Sequence, residues 1–228
     1  MMDIMLFIAP GSCSRVPTIA LAETGQPFET HLVRFMKGEH KSPDYKRFNP
    51  KGKVPALVID GEALTENVAI ISYLNQRFPE ARLLPATTDP LVQARQIADL
   101  CFCSATLHPL VTRIRMPQLF AAPDAVQSVW DKGAAAMREY FQLVEDRLAD
   151  GEWWYGDHWS AMDAYLYWVF WRVEGANFDV APYPRFVDHA RRMEMRPSVQ
   201  RALAIEAEAT AVLEAEGAIF TPPPSPAR

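Results

Sequence analysis

Apolar and polar positions recur along this chain with two periods, and the switch between them divides it. Residues 3–8, DIMLFI, are a short apolar run of the length of a buried strand. From Arg15 to Thr24 the period becomes helical: Val16, Ile19, Ala20 and Glu23 fall at steps of three and four. Pro17 is tolerated in a first helical turn, and Gly25 is a natural C-terminal stop. FETHLV (28–33) alternates like a strand, and 35–53 is polar and turn-rich, which predicts a loop with a short helix. VPALVID (54–60) returns to strand, GEAL (61–64) gives a turn and a short strand, and TENVAIISYLNQRF (65–78) is an amphipathic helix. A β-α-β then β-β-α order in so few residues leaves no room for a large nucleotide fold.

The stretch PEARLLPATTDP (79–90) is rich in proline and marks a domain boundary. Beyond it only the helical period remains. Residues 91–116 form one long helix, with a kink expected at Pro109. In 124–149, Val126, Trp130, Gly133, Met137, Phe141, Val144 and Leu148 make one buried stripe. SAMDAYLYWVFWRV (160–173) is apolar nearly all round and predicts a central helix, and two more helices follow near 183–195 and 197–216. The final TPPPSPAR has no means of burying a core. The division expected is therefore an α+β domain at 1–79, a linker at 80–90, an all-helical domain at 91–220 and a tail at 221–228.

Composition narrows the function classes. No apolar run reaches the ~18–20 residues of a membrane span, and the first residues carry an acid rather than a basic leader, so neither a membrane partner nor a signal peptide is expected. A formal charge of -5 argues against nucleic acid as a partner. The three cysteines, Cys13, Cys101 and Cys103, are too few and too oddly numbered for a disulfide framework, which points to a reducing, cytoplasmic setting. C-x-C without a second pair is no zinc pattern, so no metal is expected.

Three stretches carry chemistry. The first is APGSCSRVPTIALAETG (9–25), where Cys13 stands at a strand-to-helix turn. A helix N-terminus biases a thiol toward thiolate, and Arg15 would push the same way, while Ser12 and Ser14 offer hydroxyl donors. A small buried cysteine is the competing reading of the same position. Val16 stands where a C-x-x-C partner would be, so a self-contained dithiol cycle is not expected. The second is GKVPALVIDGEALTENVAI (52–70). A cis Val54–Pro55 bond would turn the Val54 N–H and C=O outward, where a peptide-like ligand would pair strand to strand. Glu66 and Asn67 open a helix; its N–H groups suit a carboxylate and Glu66 an ammonium, a fit for an α-amino acid end. The third is HWSAMDAYLY, where Ser160 and Asp163 form a capping box, so Asp163 reads as structural and not as a catalytic acid.

These motifs, in this order, resemble a cytosolic glutathione transferase, similar to the bacterial beta class. They are PGSCS, NPKGKVPAL, LTENVAI and GDHWSAMDAYL, and the resemblance runs from residue 4 to about 215. It implies a thioredoxin-like N-terminal domain and an all-α C-terminal helical bundle. It implies that Lys37, Lys53, Val54, Pro55, Glu66 and Asn67 bind glutathione. It places Cys13 and His108 of SATLHP at the glutathione sulfur, with Ser12 and Ser14 beside it. Asn67 stands where the family commonly has serine, and Cys101 where beta relatives tend to have asparagine one heptad before the histidine. His108 also lies on a polar row, Cys101, Ser104, His108, Thr112 and Arg115, at steps of three and four; it reads as a cleft lining or as a solvated face.

The activity implied is conjugation of the glutathione thiolate to small, largely apolar electrophiles, a detoxifying transfer that uses glutathione as co-substrate. Thr112, Arg115, Met116, Trp168 and Arg172 are the expected acceptor pocket, though Trp168 reads rather as core. A homodimer is implied by the resemblance. Two alternatives use the same chain differently. Cys13 would itself attack a glutathione mixed disulfide, giving thiol–disulfide exchange or peroxide reduction. Or the protein would carry apolar ligands without catalysis.

Overall fold

In the computed structural model, which describes residues 2–221, the first unit is built on one mixed sheet. Its strands are β1 (Ile4–Ile8), β2 (Glu29–Leu32), β3 (Ala56–Ile59) and β4 (Glu62–Thr65), in the order β2-β1-β3-β4. β1 runs parallel to β2 and antiparallel to β3, and β3 is antiparallel to β4. The parallel pair needs a crossover, and α1 (Arg15–Thr24) supplies it. The hairpin needs only Asp60–Gly61, both at positive φ (48° and 89°), the conformation that an Asp-Gly pair adopts most cheaply in a tight hairpin. Helix α2 (Pro43–Lys46) and helix α3 (Asn67–Arg77) complete the segment before the second unit.

β1 is paired along both edges, and its side chains are packed on both faces of the sheet. The register pairs Met5 with Val58 and Phe7 with Ala56 on one face, and Leu6 with Leu57 on the other. Phe7, Ala56 and Val58 pack with Val33, just after β2, and with Tyr45 of α2. Leu6 and Leu57 are fully buried, as are Ile19, Ile70, Ile71 and Leu74. Tyr45 is fixed at both ends: its ring lies edge-on to Phe7, and its hydroxyl donates to the Lys53 carbonyl. Burial pushes that phenol up to about 12.

The second unit, Thr87–Met195, is helical. It contains α4 (Pro90–Cys101), α5 (His108–Arg115), α6 (Val126–Arg147), α7 (Ala161–Glu174) and α8 (Pro184–Glu194). The expected stripe of α6 is buried at Trp130, Gly133, Met137, Phe141 and Val144. At Gly133 a side chain would meet Arg113 Cβ at 3.2 Å, so glycine lets α5 come close. α7 is buried along most of its length, as its all-round apolar pattern requires.

Two expectations are corrected. The single helix with a kink at Pro109 is instead two helices joined by a π-helical stretch, Phe102–Leu107. Pro109 has no N–H for the carbonyl four residues back, and the wider turns just before it absorb that loss. The domain boundaries also shift. Residues 80–86 stay with the first unit, where Leu83 and Leu84 are buried and the Leu84 N–H donates to Asn75 Oδ1. The last helix, α9 (Pro197–Ala215), groups with the first unit as part of Arg196–Phe220 and not with the helical domain. Its partners there are Glu23, Arg15, Arg34 and Lys37. The stretch 222–228 of the expected tail lies outside the described residues.

Candidate functional site

Cys13 stands one residue before the N-cap of α1, in the turn that ends β1, and its side chain is half-buried. The turn is held by its own polar groups. Arg15 N–H donates to the Ser12 carbonyl and Val16 N–H to the Cys13 carbonyl, each at 3.2 Å. Ser14 is buried, and its hydroxyl is used on the Ala9 backbone, donating to the carbonyl and accepting from the N–H, both at 3.3 Å. Ser12 Oγ lies 2.8 Å from Ser14 Oγ and accepts the Ser14 N–H at 3.2 Å. Ser14 therefore leaves the expected set of thiolate donors and becomes a brace of the loop, while half-buried Ser12 remains beside it. Arg15 is corrected too. Its guanidinium is buried and holds Glu206 in a two-pronged pair, so it is an ion-paired cation and not the open one the position suggests.

Two other segments converge on this turn. The Val54–Pro55 bond is cis, and the Cys13 thiol points to the Val54 carbonyl with Sγ at 3.6 Å. Asn67, the first residue of α3, is buried, and its Nδ2 donates to the Cys13 carbonyl at 3.1 Å. Its Oδ1 is equally buried and has no partner. A buried acceptor left open at a helix N-terminus fits a ligand that brings its own N–H donors, while the first N–H groups of α3 fit the ligand's carboxylate. Glu66 sits just outside the helix at φ 76°, a conformation that costs a non-glycine residue about 1–2 kcal/mol and persists only where its surroundings fix it. Its exposed carboxylate meets Lys51 Nζ at 2.5 Å, and the same ammonium reaches Thr65 Oγ1 at 2.8 Å. This set, Cys13, Val54, Asn67 and Glu66, matches the chemistry of an α-amino acid end joined to a thiol-bearing peptide.

Lys37 and Lys53 are placed differently from one another. Lys37 Nζ is bound to Glu216 Oε2 at 2.7 Å, and Arg34 holds the same carboxylate. Those two cations hold the Glu216 carboxyl down at about 2. Lys37 is thus already paired, against the expectation of a cation open to a ligand carboxylate. Lys53 is exposed, and its carbonyl receives Tyr45 and Asn49. Lys51 is the residue the sequence reading passed over. It lies in a loop fifteen positions before Glu66, where no periodicity connects the two.

In the second unit, His108 opens α5, with Nδ1 3.3 Å from the Tyr165 hydroxyl and its ring 4.6 Å from Trp168. Trp168 is 2% exposed, as its reading as core has it. The Thr112 hydroxyl donates to the His108 carbonyl at 3.2 Å. Arg115 is half-buried with Nε unpartnered, and burial lowers its pKa. Met116 caps α5 and accepts a contact from Gln118, and Arg172 lies over the Trp171 ring. Cys101 is exposed, at the end of the polar row; the π-helical stretch takes it out of step with His108. Cys103 is buried instead, 3.6 Å from Met162 Sδ, and burial pushes its thiol well up. Asp163 accepts from Ser160 N–H and Oγ, from Trp154 N–H and from His189, which bears out its structural reading. No cluster that would hold a metal ion occurs among the described residues.

Comparison with known proteins places this geometry. Residues 11–77 match the model of the glutathione S-transferase N-terminal domain, and residues 112–192 that of its C-terminal domain. The chain is 34% identical to the glutathione S-transferase GstA of Escherichia coli O157:H7 over 88% of its own length and 98% of the relative's. It is 30% identical to the maleylacetoacetate isomerase of Pseudomonas aeruginosa, over 81% of its length and 87% of the relative's. A sphingomonad glutathione S-transferase solved in complex with glutathione superposes with a TM-score of 0.77 at 33% identity, covering 89% of this chain and 98% of that one. The thioredoxin-like sheet and helices, the helical second unit and the matched motifs agree, and the chain belongs to the glutathione S-transferase family.

Proposed function

We propose that the protein is a glutathione transferase that joins the glutathione thiolate to small electrophiles. The observation that carries this reading is the meeting of three segments at Cys13: the α1 turn, the Val54 carbonyl at 3.6 Å and the Asn67 amide at 3.1 Å. Val54 pairs with the peptide backbone of glutathione, and the α3 N-terminus with Asn67 and Glu66 takes the γ-glutamyl end. Glutathione supplies the nucleophilic sulfur. The protein lowers the cost of its thiolate with the positive end of α1 and with the hydroxyl of Ser12. Thr112, Arg115 and Met116 serve the acceptor. The same reading makes the protein a cytoplasmic homodimer, which light scattering and cell fractionation check.

Wild type and Cys13→Ala, assayed for conjugation to an activated chloronitroarene and for reduction of a glutathione mixed disulfide, test the chemistry. Conjugation retained in Cys13→Ala is the expected result. If only mixed-disulfide reduction is found in wild type and Cys13→Ala abolishes it, the protein is a thiol reductase. If calorimetry detects glutathione binding but neither activity appears, the protein is a carrier. A second reading is favoured by Arg115, a half-buried cation with an unpartnered Nε that suits an acidic acceptor, and by the likeness to an isomerase. Glutathione-dependent isomerisation of maleylacetoacetate, lost in Arg115→Gln, is its test.

A further inference from the structure

Three ion clusters tie α9 to the rest of the first unit, and they differ in kind. At its start Arg196 and Ser198 hold Glu23, and just past its end Arg34 and Lys37 hold Glu216; these carboxylates are partly exposed. The middle cluster is buried. Arg15 Nε donates to Glu206 Oε1 at 3.1 Å and Nη2 to Oε2 at 2.6 Å, with Arg15 2% and Glu206 8% exposed. A buried ion pair is a poor way to stabilise helix packing, since well-packed apolar residues of similar volume do as well or better. What it supplies is geometry, because a two-pronged guanidinium–carboxylate pair fixes the direction of both side chains. Arg15 is the first residue of α1, two positions after Cys13, and its own N–H closes the thiol turn onto Ser12.

We propose that Glu206 is a positioning residue for the thiol turn, acting through the Arg15 guanidinium to fix the start of α1 and with it Cys13. The Cys13 carbonyl is held by Asn67 and Val16, and Ser14 is held by Ala9. The Arg15–Glu206 pair adds the contact from α9, the helix furthest from Cys13 in sequence. The role assigned to Cys13 at the glutathione sulfur rests on the function proposed above; the positioning of the turn does not.

Two variants test it. Arg15→Lys keeps a buried cation against Glu206 and loses the fork. The double variant Arg15→Met with Glu206→Leu replaces the pair with apolar groups, so it preserves packing if Arg15→Lys does not fold. Circular dichroism and melting identify the folded variants. The readout is alkylation of Cys13 by iodoacetamide across pH, followed by peptide mapping to separate it from Cys101. The expected result is an alkylation rate lowered about ten-fold and a midpoint moved to higher pH, while the KM for glutathione holds. Wild-type Cys13 rates and midpoint in the folded variants overturn the proposal. If wild type neither binds glutathione nor conjugates it but the alkylation difference appears, the positioning stands and the glutathione reading falls.

Discussion

Asp163 allows the sharpest test of what is structural and what is chemical in this chain. It is fully buried at the start of α7, and its two oxygens accept four hydrogen bonds. Oδ1 takes the Trp154 N–H at 2.8 Å and His189 Nε2 at 2.9 Å; Oδ2 takes the Ser160 N–H at 2.9 Å and the Ser160 hydroxyl at 2.8 Å. Asp163→Ala removes all four acceptor contacts. Two of the donors are backbone N–H groups with nowhere to turn, and each costs about 1–3 kcal/mol when left buried and unpaired. The hydroxyl and the imidazole lose charge-assisted bonds and re-pair in part, so the sum is about 4–6 kcal/mol. Against a total stability of about 5–15 kcal/mol, that is a large fraction, and for a chain of this size it lowers the melting temperature by about 10–20 °C. Asp163→Asn keeps one acceptor oxygen but turns an NH2 toward donors, so it recovers only part of the loss. The assay is thermal melting by circular dichroism, paired with conjugation kinetics at a temperature where the variant is still folded. There kcat stays within about two-fold of wild type, because Asp163 has no reacting partner. A variant that melts within about 3 °C of wild type refutes the energetic argument. A variant that keeps its stability and loses kcat refutes the structural assignment itself.

Three more outcomes follow from the geometry. With iodoacetamide near neutral pH, peptide mapping finds Cys101 labelled and Cys103 protected, because burial both hides the Cys103 thiol and pushes its pKa up; comparable labelling of the two contradicts that burial. Glu216 is held below its unfolded range by Arg34 and Lys37, so its contact is fully present above the ordinary carboxylate pKa of 4.5 and is lost as pH falls toward about 2. Hydrogen exchange at residues 34–39, corrected for intrinsic rate, therefore accelerates over that window in wild type, whereas Glu216→Gln exchanges fast throughout and shows no such window. Asn67→Ala deletes the donor on the Cys13 carbonyl and the open acceptor beside it. It raises the KM for glutathione about ten-fold, for the loss of roughly 1–2 kcal/mol of hydrogen bonding, and calorimetry reads the same change in Kd. An unchanged Kd would remove Asn67 from the γ-glutamyl site.

Local signals carried much of this molecule. The span Arg15–Thr24 is the helix its period predicts, closed by Gly25 at φ 68°, where only glycine sits without strain. The capping serine and aspartate of α7 were visible as a four-residue pattern because the contacts they make are four residues wide. The failures share a cause. Amphipathic spacing says that a helix has a buried face, not which element covers it, so α9 was assigned to the nearest helices in sequence although its partners begin at Arg15. Arg15 and Lys37 looked like free cations near a thiol and a ligand carboxylate. Each is committed to a glutamate more than 170 residues away, and no local pattern records that. Ser14 was misjudged for the opposite reason. Its place beside Cys13 suggests a thiolate donor, but its hydroxyl turns back to Ala9 and stiffens the loop it closes.

These corrections change the explanation of why a cysteine stands at the mouth of α1. The cation nearest the thiol in sequence, Arg15, is ion-paired with Glu206. Around Cys13 stand the positive end of α1, the Val54 carbonyl, the Ser12 hydroxyl, and a carbonyl of its own held by the Val16 N–H and the Asn67 amide. Fixed dipoles of this kind do not move when a thiol ionises, so they stabilise a thiolate without the reorganisation that mobile side chains or water require. A site made this way depends on the placement of three chain segments more than on any single donor. Its activity is therefore most sensitive to residues that never touch the sulfur, with Asn67 and the Arg15–Glu206 pair foremost among them.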